Sequence, residues 1–75
     1  MPVNQMDPTP LYEQLAAILR EQIRRGDWSA GELLPSESYL QQEHGVSRST
    51  VRAALKLLRD EGLVLTITAR GTFVK

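Results

Sequence analysis

The sequence has no cysteine. Disulfides, thiolate metal sites and thiol nucleophiles are excluded, while the redox compartment stays open. It has a single histidine, His44, too few for a histidine-built zinc centre. No apolar run approaches the roughly 20 residues that a membrane span needs. The opening MPVNQMDPTP lacks the charged-then-apolar order of a signal peptide. Cytoplasm is therefore the expected location, with no membrane partner. Net charge is missing as well, since nine basic side chains meet nine acidic ones. A domain-wide charge argument for nucleic acid therefore fails, but a one-sided basic face remains open.

The neutral total hides an asymmetry. Residues 1–47 hold three basic groups (Arg20, Arg24, Arg25) against seven acidic ones, and residues 48–75 hold six (Arg48, Arg52, Lys56, Arg59, Arg70, Lys75) against Asp60 and Glu61. At 75 residues the chain makes one small domain near the lower limit for a self-sufficient core. Residues 1–9 read as an N-terminal tail and 10–75 as the domain.

The first helix is expected over TPLYEQLAAILREQIRRG, with Thr9 as its cap, Pro10 at the first helical position and Gly26 closing it. Leu11, Leu15, Ile18, Leu19 and Ile23 form its buried stripe. DWSAGELLPS is a turn-rich connector in which Leu33 and Leu34 suit a short strand and Trp28 suits the core. Ser36 caps a second helix over about 37–43, ended by His44 and Gly45. Ser47 caps a third that runs to about Glu61 and stops at Gly62. Its apolar stripe is Val51, Ala54, Leu55 and Leu58. Arg48, Arg52, Lys56 and Arg59 fall within about 80° of one another on a separate face. Few acids stand at helical spacing from them, so local pairing leaves this one-signed cluster largely unexplained. LVLTIT and GTFVK, separated by Ala69 and Arg70, read as a two-stranded hairpin with Gly71 as the turn signal. The fold class is α+β, mainly α: a winged helix-turn-helix, three helices followed by a β-hairpin wing.

Enzymatic chemistry finds little support. A hydrolytic triad would have to use His44, and nothing places an acid and a nucleophile around it. A capping role at the helix end suits this histidine better. ARGTF lacks the ending of a phosphate loop. Neither a cofactor nor a metal is expected. Double-stranded DNA uses the same residues better. The start of the third helix offers free amides and a positive dipole end. Ser47, Ser49 and Thr50 can donate to phosphate oxygens. Arg48 and Arg52, one turn apart, can enter a major groove and match guanine. Arg70 at the hairpin tip can reach a neighbouring minor groove. The rival is a protein-interaction module without DNA binding. Such a face should show exposed aromatics, and the chain has only four aromatic residues: two Tyr, one Trp and one Phe.

Three segments, LYEQLAAILREQIRRGDWSAGELLPSE, GVSRSTVRAALKLLRDEGLV and RGTFV, resemble in order and spacing the N-terminal domain of the GntR family of bacterial transcription regulators. The likeness covers roughly residues 10–74. The Leu-Tyr-Glu-Gln opening and Gly-Thr-Phe-Val ending look most like the branch typified by the histidine-utilisation repressor. The resemblance implies a sequence-specific DNA-binding domain, of a repressor. Its major-groove positions match Ser47, Arg48, Ser49, Thr50 and Arg52. Its wing tip matches Thr68, Ala69, Arg70 and Gly71. Ser36 and Ser38, around the start of the second helix, complete the expected contact set.

Three departures stand out. The family usually has arginine where this chain has Ser38. Ala69 replaces the first glycine of a Gly-basic-Gly tip. LTIT replaces a strand that is commonly polar and basic. Family members usually continue into a C-terminal domain that binds an effector and dimerises. The expectation is thus an N-terminal domain that is monomeric alone, and a homodimer on a palindromic operator at full length.

Overall fold

A computed structural model describes residues 3–75. Of the expected tail, Met1 and Pro2 lie outside the described residues. Three helices, α1 (Leu11–Arg25), α2 (Glu37–His44) and α3 (Arg48–Asp60), precede two strands, β1 (Val64–Ile67) and β2 (Gly71–Val74). The strands pair antiparallel in the register Val64 with Val74 through Ile67 with Gly71. This is the winged helix-turn-helix architecture expected from the sequence.

The start of α1 differs from expectation. Pro10, not Thr9, stands at the cap, and no side chain caps the helix. The Pro10 carbonyl already accepts from the amides of Glu13 and Gln14, at 3.0 and 3.1 Å. Thr9 is engaged otherwise. Its amide donates to Asp7 Oδ1 at 2.8 Å, and its carbonyl accepts from Gln14 Nε2 at 2.8 Å. Gln14 also exchanges hydrogen bonds with the Asn4 backbone, which ties the leading residues onto α1.

Serine caps begin α2 and α3 as expected. Ser36 Oγ accepts from the Tyr39 amide and Ser47 Oγ from the Thr50 amide, each satisfying one of the amides that a helix start leaves free. Between the two helices lie only Gly45, Val46 and Ser47. Gly45 takes φ +64, a left-handed turn that costs glycine nothing. Val46 follows it into the core, so the turn is pinned by burial as well as by backbone geometry.

The core draws on every element. Leu15, Ala16 and Leu19 of α1 join Leu40 of α2, all four stripe residues of α3, and Val64 and Val74 of the hairpin. Leu34 and Val46 join from the connectors, and Trp28 packs against the cluster while partly exposed. The short strand expected at Leu33 and Leu34 is reduced to a single bridge, Leu33 to Phe73. Its neighbours still use the free edge of β2: Leu34 N donates to Thr72 O, and Val74 N to Glu32 O.

The hairpin turns at Thr68–Arg70, with Arg70 N donating to Ile67 O at 3.0 Å. The turn thus takes in Ala69 and Arg70, and Gly71 begins β2, as the GTFVK run predicts. Ala69 supplies the left-handed residue at φ +65, the only non-glycine with positive φ among the described residues. Gly71 also needs its freedom, with φ +123 and Leu33 Cδ1 2.8 Å from where a Cβ would stand.

His44 does not act as a hydrogen-bonding cap. Gly45 closes α2, and the imidazole is buried with neither ring nitrogen hydrogen-bonded among the described residues. Burial disfavours the imidazolium and pushes its pKa below the usual 6.5, while Glu43 opposes this.

Two predictions follow from the wing and from His44. Ala69→Gly should relieve a left-handed alanine worth about 1–2 kcal/mol, less the freedom that glycine adds to the unfolded chain, for a net gain near 0.5 kcal/mol. Gly71→Ala should lose about 1 kcal/mol, set by φ because the Leu33 side chain can swing aside. Denaturant titrations give both signs. For His44, the unfolded chain takes up the proton more readily. The stability it supports is complete above pH 6.5 and declines as pH falls below that value. The carboxylates held low (Asp7, Asp27 and Glu61) act only below their ordinary values of 3.8 to 4.5. Melting temperatures should therefore fall from pH 7 to about 5, and His44→Leu should flatten that slope.

Candidate nucleic-acid interface

The exposed face of α3 carries Arg48, Arg52, Lys56 and Arg59. The stripe Val51, Ala54, Leu55 and Leu58 is buried, and helical periodicity then turns these four cations to solvent. Three of them already have partners. Arg52 meets Glu37 of α2 at 3.2 Å, and Lys56 meets Asp60 one turn on at 3.0 Å. Arg59 Nη1 donates to Thr66 Oγ1 at 3.0 Å, and Thr66 shares a hydrogen bond with Thr72 across the hairpin. Among the described residues Arg48 has no side-chain partner. The cluster is thus more neutralised than helical spacing implied, because Glu37 reaches it from another helix.

At the start of α3, Ser47 Oγ donates to Thr50 Oγ1 and lies 3.0 Å from Ser49 Oγ. This chain leaves the Thr50 hydroxyl proton free to point outward. The Arg48 and Ser49 amides precede the first intrahelical bond, which runs from Val51 to the Ser47 carbonyl. Among the described residues, two unfilled amides, a free hydroxyl proton and an unpaired guanidinium share one exposed helix end.

A second group of expected residues gathers between α2 and the hairpin. Ser36, Ser38, Thr68, Ala69, Arg70 and Gly71 line an open groove of about 470 Å³. Beside it, a groove of about 300 Å³ is walled by Glu37, Arg52, Leu55, Arg59, Thr66 and Thr72. Glu37, Leu55, Thr66 and Thr72 border both, so the two form one surface from the tip of the wing to the middle of α3. Ser47, Arg48, Ser49 and Thr50 lie outside both grooves, at the projecting end of α3. Sequence reasoning missed Glu37 as part of this surface. It stands 15 residues from Arg52, beyond any rule of local spacing.

Residues 11–74 match the gntR family of bacterial regulatory proteins. The chain belongs to the GntR family. It is 50% identical over 70 residues to the mannosyl-D-glycerate transport/metabolism system repressor MngR of Escherichia coli K12, covering 93% of this chain and 29% of that protein. It is 42% identical over 74 residues to the transcriptional repressor NagR of Bacillus subtilis, covering 99% and 30%. It is also 40% identical over 67 residues to the histidine utilization repressor of Klebsiella aerogenes, covering 89% and 28%. The chain spans less than a third of the length of these relatives. The DNA-binding domain of AraR, solved with operator ORX1, superposes with a TM-score of 0.88 at 32% identity, covering all of this chain and 89% of that one. YtrA of Sulfolobus acidocaldarius, a GntR-family transcription factor, gives 0.87 at 34% identity, covering 97% and 77%. The chain is a GntR winged helix-turn-helix DNA-binding domain and not an enzyme.

Proposed function

We propose that this domain reads operator DNA for a bacterial repressor, with α3 in the major groove and the hairpin tip at the neighbouring minor groove. The free end of α3 carries the reading: unpaired Arg48 beside the open amides of Arg48 and Ser49. Arg48 and Arg52 are assigned to base edges. Ser47, Ser49 and Thr50 are assigned to phosphates, through Thr50's free hydroxyl proton and the helix amides. Ser36 and Ser38 meet the backbone from the edge of the groove. Thr68, Ala69, Arg70 and Gly71 form the wing contact, in which Arg70 is the sole cation. Ser38 offers a hydroxyl where a charged contact is usual, so α3 carries most of the affinity. The full-length protein is read as a cytoplasmic homodimer on a palindromic operator, paired through a further domain. The 75-residue chain is read as monomeric. MngR, NagR and the histidine utilization repressor are repressors by name, which supports the sign of regulation.

Arg48→Ala should weaken binding to a duplex selected from a random pool by the roughly 1–3 kcal/mol of a guanine-reading arginine. Its stability should change by no more than about 0.5 kcal/mol, because the side chain is exposed and unpaired. Unchanged affinity would overturn the assignment of α3. Each neutralised phosphate adds about 0.9 to the log–log salt slope, so a monomer with few contacts should show a slope of only a few units. Sedimentation should show a single 8.4 kDa species, and a stable dimer without DNA would refute the monomer reading.

A further inference from the structure

Glu37 is an acid on a surface that the preceding reading gives to DNA. It opens α2, borders both grooves and is partly buried. A carboxylate there repels phosphate, although the first turn of α2 favours an acid through the helix dipole. What the dipole does not set is which edge of Arg52 it holds. Arg52 Nε donates to both Glu37 oxygens, at 3.3 and 3.2 Å. A guanidinium carries five N–H donors in a plane, one on Nε and four on the terminal nitrogens. Among the described residues nothing engages the terminal nitrogens of Arg52. The side chain is thus held by its inner edge, and its outer fork stays open. That fork, presented end-on, matches O6 and N7 of guanine. Anchoring reduces the side-chain freedom lost on binding. It also keeps a long cation from settling on the nearest phosphate.

We propose that Glu37 is a positioning residue that sets specificity: it holds Arg52 by Nε so that the terminal fork reads guanine instead of binding phosphate. The inference rests on the DNA-reading surface proposed above, and its test separates the two. Glu37→Ala, Arg52→Ala and the double variant are measured by fluorescence anisotropy on two duplexes of equal length. One is selected from a random pool by the wild-type protein, and the other is its scramble. Glu37→Ala should weaken the selected duplex about tenfold, within the range of one guanine contact. It should also tighten the scrambled duplex, because an anion leaves the surface. The ratio of the two affinities therefore falls. With Arg52 already replaced by alanine, removing Glu37 should leave that ratio unchanged. Any loss of folded protein lowers both affinities equally, so it cannot produce the fall. If Glu37→Ala tightens both duplexes by one factor while Arg52→Ala still lowers the ratio, Glu37 supplies only charge and the proposal fails, although the surface stands. If Arg52→Ala leaves the ratio intact, the assignment of Arg52 to bases fails and takes the proposal with it.

Discussion

The burial of one stripe on α3 governs the rest of the molecule. Val51, Ala54, Leu55 and Leu58 pack into a core shared with Leu15, Ala16 and Leu19 of α1. Burying four such side chains against the longest helix fixes the rotation of α3 about its axis. Once that rotation is set, Arg48, Arg52, Lys56 and Arg59 can only face water. The same core holds Val64 and Val74, so the hairpin is anchored beside α3 and its tip is carried to the edge of the α2 groove. A surface assembled from three elements thus takes its shape from one apolar contact layer.

Charge is distributed on this frame with restraint. The domain has no net charge, and the basic face of α3 is largely paired with Glu37, Asp60 and the threonines of the hairpin. Away from that face, Arg20 and Glu61 tie the end of α3 to α1 through two hydrogen bonds of 2.8 and 2.6 Å. The guanidinium holds Glu61 below the usual carboxylate range. Arg25 does the same for Asp27 just beyond α1. A domain built this way offers little general attraction to polyanions. Discrimination then rests on where individual donors point: Arg48 unpaired, Arg52 held by one edge, and the first amides of α3 unfilled.

The sequence alone was sufficient for the three helices, the hairpin and the buried stripe of α3, though in α1 it named Ile18 where Ala16 is buried. Ser36 and Ser47 announced two helix starts, Gly26, Gly45 and Gly62 marked where helices stop, and the three-and-four spacing of leucines and valines named the buried side. These are local signals, each set by a residue's own backbone preference or by the 3.6-residue period. The start of α1 was the ambiguous local signal. Thr9 was the better cap by residue type, yet the Pro10 carbonyl took the first helical bonds. The hairpin turn falls between LVLTIT and GTFVK, with Ala69 at the left-handed position.

What tertiary structure alone decided lies between elements distant in the chain. Nothing local pairs Glu37 with Arg52, or Arg59 with Thr66. Each pair follows from the angle at which packed helices and strands meet, and that angle is set by how whole side chains interlock in the core. His44 shows the same division. Its position at a helix end was readable, but its loss of hydrogen-bond partners came from the packing around it. The sequence determined which residues are helical, which are apolar and which are charged, because those properties belong to single residues and their near neighbours. The structure decided which charges remain unpaired, because that depends on distances between segments that only folding brings together.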